Sequence, residues 1–353
     1  MAESWMVYGA YGYTGRLVLE RAVAAGLKPV VAGRDASRTE AVALEFGLPH
    51  RSFDLADTEG LRRGINGMRA VLHCAGPFSA TSAPMIAACL QQGVHYLDIT
   101  GEIDVFAYAH ANDSAARKRH VALVPGVGFD VVPTDCLAAL LKQELPDASE
   151  LVLAFDAEGG PSRGTALTSV EGLGKGGRVR RDGAMVRVPL GYKQREFAFP
   201  RGNRQAVTIP WGDVYTSFVS TGIPNIEVYM AMPPRTIARL RQMRWFTPLL
   251  GLAPVQWLLK RQVEARVRGP SDQRRGNSQS YIYGEVRNPR GDVRAATLVT
   301  PNGYDLTATA ALAITRFLAT DPRPHAGYYT PSLLMGADYI RSLPGVQFNW
   351  VRR

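Results

Sequence analysis

Gly9, Gly12 and Gly15 recur at three-residue spacing directly after the apolar run Trp5-Met6-Val7-Tyr8. A strand, a glycine-rich turn and a helix form a site for nucleotide phosphates. The first glycine permits the sharp turn, the second removes the side chain that would block a pyrophosphate, and the third lets helix and strand pack closely. The helix start then points its N–H groups and positive dipole at the phosphates. Tyr11 and Tyr13 belong to the same turn, and Thr14 adds a hydroxyl. About twenty residues on, Ala32-Gly33-Arg34 closes a second apolar run. An acid there would take a ribose 2′-hydroxyl, whereas Arg34, with Ser37 and Arg38 close behind, suits a 2′-phosphate. Asp35 is the counter-reading, because it could take the ribose and make the site prefer NAD. The expectation is NADP(H), with Asp54 and Leu55 beside the adenine and Ala75-Gly76-Pro77-Phe78 along the nicotinamide half.

Two further stretches bring groups able to move a proton. Asp98 and Glu102 follow the short run His95–Leu97. They could position substrate or donate a proton, or Asp98 could cap its turn while Glu102 starts the next helix. Pro125–Asp135 contains Phe129, a candidate wall for the nicotinamide pocket, and Asp130, a candidate partner for a polar substrate group. Asp130, Glu102 and bound water are the candidate proton sources, in that order. Thr134 or Asp135 is expected to cap a helix. Pro161-Ser162-Arg163-Gly164-Thr165 reads as a second helix start, either an ordinary cap or a cover for the nicotinamide. Cys74, Cys89 and Cys136 have no metal-ligand spacing, and no metal is expected.

Alternating strands and helices must hold these residues. Strands are expected at Met6–Gly9, Pro29–Ala32, His50–Phe53, Ala70–Cys74, His95–Asp98 and Val121–Val124. Helices are expected at Thr14–Ala25, Ser37–Phe46, Asp57–Ile65, Ala83–Gln92 and Ile103–Arg119. That order implies right-handed crossovers and a parallel sheet covered on both faces. After Asp135–Glu144, read as a helix, strand signals dominate: Leu151–Asp156, Met185–Val188, Arg195–Phe199, Ala206–Ile209, Val214–Ser220, Ile226–Met232, Gln279–Val286 and Arg294–Val299. A helix is expected at Thr307–Ala319. The expected fold is therefore α/β: a Rossmann-type doubly wound parallel sheet plus an α+β domain with a mostly antiparallel sheet. The expected domains are 1–134 for the coenzyme, 135–320 for substrate and dimerisation, and 321–353 as a tail packing back on the first domain.

The chain of 353 residues suits two domains, and 46% hydrophobic with 20% charged residues is globular rather than disordered composition. The net charge of +10 is carried by arginine, with six lysines in all. This suits anionic ligands or reflects genome composition, and both readings stay open. Cys74, Cys89 and Cys136 cannot all pair, which points to a reduced compartment. The first residues run almost directly into a strand, leaving no room for a leader, and no 18-residue apolar run occurs, so a cytoplasmic protein is expected.

These stretches together resemble the saccharopine dehydrogenase-like oxidoreductases, a group that includes the trans-acting enoyl reductases. The residues concerned are Gly9–Gly15, Ala32-Gly33-Arg34, Ala75–Phe78, Tyr96-Leu97-Asp98 with Gly101-Glu102, and Pro125–Asp135. The likeness continues more weakly through Gly164-Thr165, Gly269-Pro270-Ser271, Gly303-Tyr304 and Thr307-Ala308. The resemblance implies a Rossmann domain, bound NADP(H) and a substrate domain, and leaves the substrate open. Tyr-x-x-x-Lys is absent from the sequence, so the proton relay of short-chain dehydrogenases is missing. The expected activity is an NADPH-dependent reduction of an activated C=C (enoyl-type) or C=N bond in an apolar, lipid- or polyketide-like substrate, such as an acyl thioester. The alternative is a non-catalytic NADP(H)-binding regulator or membrane-associated protein.

Residues 235–268 hold eight basic residues against Glu264, and between the clusters lies the apolar run from Trp245 to Leu259. Interrupted by Pro248 and Pro254, that run is too short to span a bilayer. Peripheral membrane contact, an entrance for a carrier-bound acyl chain, or a helical pair buried at a homodimer or domain contact with solvated charges are the three readings. Nucleic acid is not expected, because aromatic and basic residues are segregated.

Overall fold

The computed structural model describes residues 4–351 apart from 159, 268 and 270, with the backbone alone at 272 and 274. Arg268 and Pro270, used in the sequence reading, lie outside the described residues. The chain divides into two compact units. The first is 1–132 with 304–335, and the second is 133–303 with 336–353.

The first unit begins β1 (Trp5–Tyr8), α1 (Tyr13–Ala24), β2 (Val30–Gly33), α2 (Ala36–Phe46), β3 (His50–Ser52) and α3 (Thr58–Ile65). It continues with β4 (Ala70–His73), α4 (Phe78–Gln92), β5 (His95–Asp98), α5 (Ile103–Ala111), α6 (Asp113–Arg119) and β6 (Ala122–Val124). The strands form one parallel seven-stranded sheet in the order Gly327–Tyr328, β6, β5, β4, β1, β2, β3. The central strands β1 and β4 are buried along their whole length, as a sheet covered on both faces requires. Because all strands run the same way, their C-terminal ends, and the loops that follow, share one edge.

Four expectations are corrected here. The single helix expected over Ile103–Arg119 is two. Asn112 breaks it, its side-chain amide donating to the Tyr108 carbonyl at 2.9 Å, and a new helix starts at Asp113. Helix α4 starts five residues before the expected Ala83 and carries Pro84 inside it. The helix expected near Thr307–Ala319 spans Gly303–Thr320, and all of it beyond Gly303 belongs with the first unit. There Tyr304 meets Tyr13 edge-on at 5.0 Å and Asp305 accepts from Arg21 at 2.5 Å. The tail is divided: residues 321–335 join the first unit, but Gln347–Trp350 forms an edge strand of the other sheet.

The second unit is built on a nine-stranded mixed sheet. After α7 (Val132–Glu144) come β7 (Glu150–Ala157), α8 (Arg163–Leu173), β8 (Gly177–Arg181), β9 (Ala184–Val188), β10 (Gln194–Phe199) and β11 (Gly202–Thr208). Then follow α9 (Asp213–Thr221), β12 (Asn225–Ala231), α10 (Pro234–Met243), α11 (Thr247–Leu250), α12 (Ala253–Arg266), α13 (Asp272–Gly276), β13 (Gln279–Arg287) and β14 (Val293–Pro301). Among the described residues only the β7–β12 pairing of this sheet is parallel, and its other pairings are antiparallel. Phe197, Phe199, Tyr229 and Tyr283 cluster on one face. The segment Val214–Ser220, expected as a strand, is helix α9. Its buried residues Asp213, Val214, Ser217 and Thr221 recur at three- and four-residue spacing, so a helix face, not a strand face, meets the core.

Candidate functional site

At the end of β1 the chain turns on Gly9, whose φ of +82° is in the left-handed region. A Cβ on Gly9 would also lie 2.7 Å from the Ala75 nitrogen, so only glycine lets this turn lie against the loop after β4. The amides of Gly9 and Ala10 both donate to the Ala32 carbonyl, tying the turn to the end of β2. A Cβ on Gly15 would lie 2.5 Å from the Gly9 carbonyl oxygen, so helix and turn share that space. Gly12 differs: a Cβ there would meet only the Gly9 oxygen, at 3.1 Å. Gly12 is the N-cap of α1, provides no side-chain cap, and leaves the helix start to an outside acceptor. This is the cradle that the glycine spacing implied: two glycines demanded by packing, and one that leaves room. Thr14 is half-buried in the first turn.

At the end of β2 stands Asp35, the N-cap of α2. Its carboxylate accepts from the Arg38 amide at 3.0 Å and caps α2. One carboxylate oxygen is thereby engaged by its own helix, and Asp35 is exposed together with Arg34, Ser37 and Arg38 at the same sheet edge. The Arg38 guanidinium lies 4.2 Å from the centre of the Tyr11 ring, and Tyr11 packs over Gly33. Asp54 turns back on its own loop, accepting from the Ala56 amide at 2.9 Å, and Leu55 is half-buried.

The loop after β4 is held from two sides. The bond between Gly76 and Pro77 is cis. Both oxygens of Glu102 accept from the first amides of α4, Phe78 at 2.9 Å and Ser79 at 2.9 Å. Glu102 thus caps a helix distant in sequence as well as occupying the N-cap of α5. Thr81 donates to the Ala75 carbonyl at 2.7 Å and faces His73 Nε2 at 3.0 Å. Thr81 Oγ1 also lies 3.1 Å from the Pro77 carbonyl, and among the described residues the buried His73 Nδ1 has no hydrogen-bond partner. Burial pulls the His73 pKa down to about 3, so the ring is neutral. Neither His73 nor Thr81 stands out in the sequence. A lone histidine closing an apolar strand carries no spacing signal of its own.

Asp98, at the end of β5, is fully buried and acts as a staple. It accepts from Tyr96 Oη at 2.6 Å, the Thr100 amide at 2.9 Å and the Gly126 amide at 2.9 Å. Burial outweighs these bonds and raises its pKa to about 6. Asp130 is half-buried, with its carboxyl against Gly101, where a Cβ would come within 2.8 Å of Oδ2. Burial first, and the Glu102 charge second, raise the Asp130 pKa to about 7. Phe129, next to it, is half-buried, and its amide donates to Thr307 Oγ1 at 2.9 Å. All these groups follow strand ends at one edge of the parallel sheet. In the second unit, Ser162 caps α8 through the Thr165 amide, the ordinary role. Helix α7 starts at Val132, so Thr134 and Asp135 lie inside its first turn rather than at the cap, and Asp135 accepts from Ser220 at 2.6 Å. Among the described residues no cluster of ligand side chains could hold a metal.

Comparison with known proteins gives a consistent result. Residues 5–123 match the family model of the saccharopine dehydrogenase NADP binding domain. A candidate trans-acting enoyl reductase of Mycobacterium tuberculosis is 30% identical over 190 residues, covering 48% of this chain and 43% of that protein. A saccharopine dehydrogenase-like oxidoreductase of Mus musculus is 26% identical over 202 residues, covering 50% and 47%. The chain thus spans less than half the length of these curated relatives. Apo saccharopine dehydrogenase (L-Glu forming) from Saccharomyces cerevisiae superposes with a TM-score of 0.68 over 99% of this chain and all of that one. At 10% identity that match concerns the fold.

Proposed function

We propose that the protein is an NADPH-dependent reductase, a reading supported by the match of residues 5–123 to the saccharopine dehydrogenase NADP binding domain. It reduces an activated C=C bond of the enoyl type, or a C=N bond, in an apolar substrate. The observation that carries this reading is the pairing of the open cradle at Gly12 with a carboxyl, Asp130, whose pKa is about 7, at the same sheet edge.

The residues fit the coenzyme. Thr14 and Gly15 sit in the first helical turn, where amides have no intrahelical acceptor, and suit a pyrophosphate. Arg34 and Ser37 suit the 2′-phosphate, with Arg38 held on the Tyr11 ring beside them. Asp54 and Leu55 suit the adenosine end. Ala75, Gly76, Pro77 and Phe78 suit the nicotinamide end, in a loop kept in place by Glu102 and by Thr81 with His73. The chemistry a bound NADPH supplies is hydride transfer from its nicotinamide to an electron-poor carbon.

The chain's own part is to orient the acceptor and to deliver a proton to the atom that gains the electron pair. Asp130 suits that role, since it still holds a proton near neutral pH. Glu102 is engaged by two amides and suits positioning. Phe129 suits a wall beside the acceptor. The enoyl-type assignment draws on the relative in Mycobacterium tuberculosis.

The test is a screen of activated alkenes, imines and acyl thioesters, following loss of the reduced coenzyme's absorbance. Turnover of at least one class, reduced by Asp130→Asn with coenzyme affinity retained, supports the reading. Tight NADPH binding with no turnover of any class, in a chain whose Asp130→Asn variant behaves identically, would contradict it and favour a regulator.

A further inference from the structure

Pro234–Arg266 carries an exposed apolar surface for which a coenzyme domain has no use. It comprises α10, a 3-10 turn at Arg244–Phe246, α11 and α12. None of the fourteen residues of α12 is buried. Trp245 is 75% exposed, Trp257 60% and Phe246 57%, and Leu249, Leu252 and Leu258 are each at least half exposed. Six large exposed apolar side chains fall within fourteen positions, a density unlike the scattered apolar residues of an ordinary surface.

The patch is oriented by what holds it. Gln256 donates to the Val170 carbonyl at 2.9 Å and to the Leu250 carbonyl at 2.6 Å, and Lys260 pairs with Glu171 at 2.5 Å. Gln256 and Lys260 lie one turn apart and tie α12 to α8. Trp257 and Arg261 form the neighbouring stripe, turned to solvent. The Arg261 guanidinium lies 5.3 Å from the centre of the Trp257 ring, and that of Arg244 lies 5.0 Å from Trp245. Both Trp245 and Trp257 therefore have a cation beside the ring face. Between 235 and 266 stand seven basic residues and one acid, Glu264, a net of +6 (7 − 1).

We propose that this surface docks on the interface of an anionic lipid bilayer. Tryptophans beside arginines suit headgroup depth, where the ring sits at the acyl boundary and the cation meets lipid phosphate. No helix among the described residues is long and apolar enough to cross a membrane, and the prolines at 248 and 254 divide this one into short pieces, so the segment lies in the surface. The charge selects lipid over a second copy of the chain. A twofold contact through this patch would set one cluster of +6 against another. The inference does not rest on the coenzyme reading.

The experiment sediments the full chain with vesicles of phosphatidylcholine alone, and of phosphatidylcholine mixed with phosphatidylglycerol, while tryptophan fluorescence is recorded. Binding to the anionic vesicles is expected, with a blue-shifted emission, about tenfold or more weaker on neutral vesicles, and reduced by salt. Trp245→Ala with Trp257→Ala, both exposed and outside the coenzyme domain, should lose about tenfold or more of that binding while NADPH titration is unchanged. Arg244→Glu with Arg261→Glu should abolish the preference for anionic vesicles. No binding to either vesicle, or equal binding by both variants, overturns the proposal. So does a dimer in sedimentation velocity that the tryptophan variant dissolves, which would make the occupant a second copy. If wild-type protein takes up no NADPH yet binds vesicles, the coenzyme reading fails alone.

Discussion

Gly12 and Gly15 are chemically identical and physically distinct. A methyl at Gly15 must enter the space of the Gly9 carbonyl, 2.5 Å away. Gly15→Ala should therefore cost about 1–3 kcal/mol of stability, read from denaturant midpoints. A methyl at Gly12 meets one atom at 3.1 Å, so Gly12→Ala should cost less than about 1 kcal/mol. It should nonetheless weaken NADPH binding about tenfold or more, because it fills the room left for phosphate. Asp130 makes a different kind of prediction. Its carboxyl moves from 3.8 to about 7 on folding. Between those values the folded protein holds a proton that the unfolded chain has released. Stability therefore falls as pH rises through that window and levels off above it. As proton donor, Asp130 should also make reductase turnover fall as pH rises through about 7. Asp130→Asn should flatten the stability profile and lower turnover at every pH, measured by melts and initial rates across pH. A wild-type rate that rises through pH 7 would contradict the donor role.

At the scale of elements, the coenzyme edge depends on supports contributed from elsewhere in the chain. Glu102, from the loop after β5, caps α4 and so fixes the loop after β4. Glu102→Gln keeps one acceptor oxygen and loses the charge, and should cost about 1 kcal/mol with NADPH affinity falling in parallel. Unchanged stability and affinity in melts and titrations would dismiss that support. The local pattern made the first domain legible: the three glycines, the β2 end at Gly33, and β5, which spans the expected His95–Asp98. Partners far apart in sequence left no such trace. Nothing local links Glu102 to the amides of Phe78 and Ser79, or the helix Gly303–Thr320 to Tyr13 and Arg21. Val214–Ser220 misled for another reason. β-branched and aromatic residues favour a strand, but burial at helical spacing prevailed, as tertiary context does over propensity.

For the whole molecule, the two units divide the evidence. The first carries the family likeness, over residues 5–123, and the groups suited to NADPH. The second carries a mixed sheet and the basic, aromatic surface around Trp245 and Trp257. The +10 net charge is unevenly placed, with six of it in 235–266. Isothermal titration of the full chain with NADPH, and separately with NADH, tests the central claim most directly. Saturable binding is expected, tighter for NADPH, with Arg34→Asp weakening NADPH far more than NADH. No heat with either coenzyme, or equal loss of both in Arg34→Asp, would contradict the account.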